Sequence, residues 1–179
     1  MSLLRFLGID VIGKQARERG DTASVRRIAA QLERLEPAAA KHLASFAYVL
    51  ARVANADLAI VESETTEMER IVRSLASLSE GEATLAVQIA KTQSHVLGDT
   101  DNYVVTREFR RISTREQRAQ LLQCLYAVAA ADGTISGVET SVIGAIAEEL
   151  GFTRAESNAL RSEYRDKLSE LRSDPSASN

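Results

Sequence analysis

The chain has 179 residues, a formal net charge of −3 and a pI of about 5.5. That is long enough to bury a sizeable core, and too acidic to be drawn non-specifically to nucleic-acid phosphates. Hydrophobic residues make up 45 %, charged residues 26 % and aromatics only 4 %, with two Pro and no Trp; this palette suits close-packed helices better than sheets. The single cysteine, Cys124, excludes an intrachain disulfide and a thiolate-rich metal site.

Charge is unevenly spread. Residues 1–27 hold Arg5, Lys14, Arg17, Arg19, Arg26 and Arg27 against Asp10, Glu18 and Asp21, a balance of +3, so the remainder carries −6. The opening apolar cluster of Leu3, Leu4, Phe6, Leu7, Ile9, Val11 and Ile12 reads as a segment that docks on the body. The alternative is an interfacial anchor ahead of the basic stretch. It is too short and too early in charge for a signal peptide, and no run approaches the about 20 apolar residues of a membrane span. A cytoplasmic protein is expected.

Val25, Ile28, Ala29, Leu32 and Leu35 recur at helical spacing from about Ala23, and Pro37 ends that helix. A second helix is expected over about 38–55, enclosing Phe46, Val49, Leu50 and Val53. A third carries Met68, Ile71, Val72 and Leu75. Ser79 with Glu82 forms a capping-box pattern opening a fourth, to about Leu97. Gly98–Asp99–Thr100–Asp101–Asn102 reads as a loop between two halves. A short helix over 103–111 would set Val104, Val105 and Phe109 on one side.

Thr114 with Gln117 opens a long helix to Ala131, in which Cys124 is expected as a small buried hydrophobe. The stretch Ala131–Asp132–Gly133–Thr134–Ile135–Ser136–Gly137–Val138–Glu139 then forms an acidic turn into a helix ending near Leu150. Thr153 with Glu156 caps a last helix to about Leu171, before a frayed tail over 173–179. Every convincing periodicity is helical, so the expected class is all-α. The expected layout is an N-terminal helical extension over 1–37 and one domain over 38–172.

Sliding the chain over itself by 75 positions aligns Asp57 with Asp132, Ile60 with Ile135, Glu64 with Glu139, Ile71 with Ile146 and Leu75 with Leu150. Between Leu50 and Leu75, ten of 26 positions coincide, more than shared composition supplies. The domain therefore reads as two related helical modules, about 46–97 and 121–171, that cover each other's apolar faces.

The pattern Ala-Asp-Gly-x-Ile-x-x-x-Glu, followed by an apolar helix and Leu-Gly-Phe-Thr, resembles the tellurite-resistance TerB-like family over about residues 40–170. The same domain type is similar to the N-terminal region of a membrane-anchored J-domain co-chaperone. The resemblance implies a compact all-helical fold of about seven helices and no enzymatic activity, and the expected fold is a TerB-like bundle of about seven to nine helices. It also implies acidic residues from the two turns brought close together, with a suggested metal-binding role. The first copy departs from the pattern: Leu58 and Ala59 stand where Gly133 and Thr134 stand in the second, which removes the residue that turns most easily to the left.

Asp57, Glu64, Asp132 and Glu139 are thus the candidate metal ligands. Four converging carboxylates need a hard cation such as Ca²⁺, Mg²⁺ or Mn²⁺, or a basic protein partner. The turn is not an EF-hand, because Ile143 falls where the twelfth-position Glu is required. A purely structural role competes. Ser136 and Glu139 make a capping box, and Asp132 can close an Asx turn with Gly133. Against it, Val61 replaces Ser136 in the first copy and cannot cap, yet Glu64 is retained.

His42 and His95, the only histidines, lie on different helices without a ligand partner and read as solvated or capping. Glu62, Glu64, Glu67 and Glu69 read as a solvated face at a helix start. Arg107, Arg110, Arg111 and Arg115 form a basic cluster, either solvated, turned to an anionic partner or paired with the acidic turns. No phosphate loop, nucleophile elbow or metal-hydrolase spacing occurs. The leading expectation is a non-enzymatic TerB-like accessory or scaffold protein related to stress or tellurite resistance. Its rivals are a metal-dependent hydrolase using the same four carboxylates and a membrane-peripheral adaptor using residues 1–27.

Overall fold

The computed structural model describes residues 22–54, 62–93 and 99–168. The apolar N-terminal segment, Asp57 and its turn, His95, the exit of the fourth expected helix and the tail lie outside the described residues. The helices are α1 (Thr22–Leu32), α2 (Pro37–Ala54), α3 (Glu62–Leu75), α4 (Glu80–Gln93), α5 (Asp99–Ile112), α6 (Arg115–Ala129), α7 (Gly137–Glu149) and α8 (Arg154–Ser162), followed by a 3₁₀ turn, Arg165–Lys167. No strand occurs among the described residues, and the expected all-α class holds.

The core is built around α2, whose Ala-rich stretch buries Ala44, Phe46, Ala47, Val49, Leu50 and Val53. Small residues let neighbouring helices close in from several sides, and α2 packs against α4, α5, α6 and α7. Pro37 occupies its first turn, where a missing N–H costs nothing. The second copy's central helix, α6, buries Leu121, Leu122, Cys124, Leu125 and Tyr126 and lies against both α2 and α3. Ile28 and Leu32 of α1 are buried in the same core.

The repeat is visible in helix boundaries. At the 75-residue offset, α2 and α6 end together at Ala54 and Ala129, and α3 and α7 begin together at Glu62 and Gly137. The buried positions Met68, Ile71 and Val72 answer Ile143, Ile146 and Ala147. The register slips by one residue only at the helix exit. There Ser77 (φ 47°) and Gly151 (φ 83°), 74 positions apart, each take the left-handed conformation that ends a helix.

Three sequence expectations are corrected. Asp99–Asn102 are the first turn of α5 rather than a loop; Asp is at home at a helix N-terminus as well as in turns, so its residue type did not decide between them. Val104 is 51 % exposed, while Val105 and Phe109, four apart, form the buried face of α5. The last helix stops at Ser162 instead of running to Leu171. The chain folds back through the 3₁₀ turn so that Leu168 enters the core and forms an isolated parallel bridge with Ile135. Burial of Leu168 outweighs one more turn of an exposed helix.

Candidate functional site

The acidic turn is fixed at both ends and in its middle. Tyr126 O accepts from the N–H of Ala130, at the end of α6, at 2.9 Å, and Ala130 O accepts from Gly133 N at 3.0 Å. Gly133 sits at φ 97°, a region a side chain would strain. Asp132 Oδ1 accepts from Thr134 N at 2.9 Å, an Asx turn. Ile135 is fully buried, and its N–H donates to Lys167 O at 2.7 Å. Lys167 Nζ reaches back to Ala130 O at 3.2 Å.

Ser136 then caps α7. Its hydroxyl accepts from Glu139 N at 3.1 Å, and Glu139 Oε2 accepts from Ser136 N at 2.8 Å. The capping box read from the sequence is formed, as it is at Thr114/Gln117, Thr153/Glu156 and, with Ser79 N on Glu82 Oε2 at 2.9 Å, at the start of α4. Asp132 is exposed and Glu139 half-buried, both held by backbone donors.

The described residues thus contain one acidic turn of the expected pair. Asp57 lies outside them, and Glu64 falls in α3 with its side chain outside them too. No group of three or more His, Cys, Asp or Glu side chains placed to hold a metal occurs among the described residues. The donor chemistry of the second turn suits a hard cation, since it is all oxygen, and a carboxylate keeps lone pairs after accepting one N–H. Two carboxylates are a partial shell for an ion that takes six to eight ligands, so such a cation would also draw on water or on the first turn.

The remaining candidates resolve differently. Cys124 is buried, and desolvation pushes its thiol up to about 12, which makes it inert. His42 is half-buried rather than fully solvated. Its ring packs on Phe109 with centroids 5.1 Å apart and its Nε2 is buried without a partner. Of the basic cluster, Arg111 pairs with Glu108 at 2.7 Å and Arg115 with Glu156, not with the acidic turn. Arg111 and then Lys41 hold the Glu108 carboxyl down at about 2.

A network that the sequence reading missed ties the bundle together. Arg52 of α2 forks onto Glu149 of α7 at 2.6 and 3.2 Å and donates to the buried Thr106 of α5 at 2.7 Å. A signal for it existed: Arg52 is the one charge in the stretch from Leu43 to Ala54 of α2, which is otherwise mostly apolar, and such a charge needs a partner.

A family profile described as "Tellurite resistance protein TerB" matches residues 42–162. The chain belongs to the TerB family. The match runs from within α2 to the end of α8 and so contains the acidic turn, with α1 and Leu168 outside it. No curated protein and no solved structure matches the chain. No helix among the described residues is long and apolar enough to cross a membrane.

Proposed function

We propose that this TerB-family protein is a non-enzymatic, cytoplasmic accessory or scaffold protein. In this reading it presents its acidic turn to a divalent cation or to a basic surface of a protein partner. The observation that carries the reading is how tightly the turn is held. An Asx turn, a left-handed glycine, a capping box and the clamp from Lys167 and Leu168 fix one nine-residue stretch and leave Asp132 at the surface. A preorganised carboxylate pair loses little entropy on binding. Any part in tellurite or wider stress resistance rests on the family alone.

Calorimetric titration with Ca²⁺, Mg²⁺ and Mn²⁺ tests the cation. The expected outcome is saturable heat and a raised melting temperature at millimolar metal. Asp132→Asn should lose both. Glu139→Gln should weaken binding while leaving metal-free stability unchanged, because Gln also serves a capping box. The absence of both heat and stabilisation at millimolar metal would eliminate the cation and leave the basic partner.

A further inference from the structure

Three guanidinium groups converge where α7 ends. Arg118 Nη1 donates to Leu150 O at 2.9 Å. Arg115 Nη1 donates to Gly151 O at 3.3 Å, and its Cζ lies 4.5 Å from the centre of the Phe152 ring. Arg110 crosses Gly151 so closely that a Cβ there would sit 2.7 Å from its Cζ. The terminal carbonyls of α7 carry partial negative charge and favour cations, but they do not balance three of them. Burial first, then Arg115 and Arg110, hold the Arg118 guanidinium below its ordinary value.

Counter-charges are few. Glu156 answers Arg115, and its carboxyl is held at about 2 first by the Thr153 backbone and hydroxyl, then by Arg115. Glu148 faces Arg154 at 3.7 Å, which cancels that pair. Arg110 makes no hydrogen bond or ion pair among the described residues, and Arg118 donates only to carbonyls. Among the described residues, three guanidiniums against one carboxylate leave two positive charges on the surface of an acidic protein.

We propose that Arg110, Arg115 and Arg118 bind a dianionic phosphate group, from inorganic phosphate or a small phosphomonoester. A carboxylate would neutralise only one of the two charges, and the planar fork of Arg110 matches the spacing of two phosphate oxygens. The glycine at 151 is what lets Arg110 lie flat over the helix end beside the other two.

The test is an NMR titration of the full chain at pH about 8, where these phosphates are dianions, with chloride holding ionic strength constant. Inorganic phosphate, O-phosphoserine and acetate are added in separate arms. The Gly151 amide and the Arg110 Nε–H signals should shift saturably with a phosphate and far less with acetate. Tighter binding of phosphoserine than of inorganic phosphate assigns the site to phosphomonoesters; the reverse assigns it to the free ion. Arg110→Gln, a change at an exposed side chain, should weaken binding by about tenfold or more, while Arg34→Gln, exposed between α1 and α2, should leave it unchanged. Unsaturable shifts, equal effects of acetate, or equal losses in the two variants would overturn the proposal.

Discussion

His42 shows how far one side chain departs from what its neighbours in sequence suggest. It stands on α2 at the edge of a stretch, Leu43 through Ala51, that is buried throughout, and its residue type alone does not tell which way it points. In the bundle, Phe109 of α5 takes one face of the ring and its Nε2 is buried. Desolvation lowers the imidazole below 6.5, partly offset by Glu82 of α4. The unfolded chain therefore takes up a proton at higher pH than the fold does. Stability is full above about 6.5 and declines as pH falls below it, by no more than about 1.4 kcal/mol per pH unit. Urea midpoints between pH 7.5 and 5.5 should fall for the wild type and stay flatter in His42→Leu; identical slopes would show that folding leaves the His42 titration unshifted. Cys124, by contrast, was legible, because it sits in the run Leu121–Ala131, which only Gln123 interrupts.

At the scale of elements, the signals that worked were the short-range ones. All four capping boxes join residues three apart, so the pattern contains both partners of each bond. Ser136→Ala should cost about 1 kcal/mol, read as a lower denaturant midpoint, and an unchanged midpoint would mean that the cap contributes nothing. The same locality explains the errors. Asp99–Asn102 carry residue types shared by loops and helix starts, and Val104 lies next to the buried Val105 in a helix whose apolar face is narrow. The early stop at Ser162 follows from Leu168 meeting Ile135 and from Tyr164 stacking on Tyr126 at 5.6 Å. Those partners are more than 30 residues away, beyond the reach of any periodicity.

For the molecule as a whole, the junction of Arg52, Thr106 and Glu149 fastens α2, α5 and α7, three helices that the repeat alone does not join. Glu149→Ala should cost about 2 kcal/mol, less than a fully buried pair would lose, because both side chains keep some solvent. Replacing Arg52 by Met and Glu149 by Leu together should recover most of that loss, since the penalty comes from stranding a charge. Thermal unfolding of the two single variants and the pair checks this; simply additive losses would remove the coupling. The helical class, the duplication, the caps and the acidic turn were all determined by the sequence itself, because each rests on spacing within one helix or on similarity within one chain. Only the tertiary structure decided that the turn is clamped by Leu168 and Lys167, that Arg52 finds its counter-ion across the bundle, and that three arginines meet at one helix end. Those outcomes depend on which distant surfaces exclude water together, a quantity that no local pattern contains.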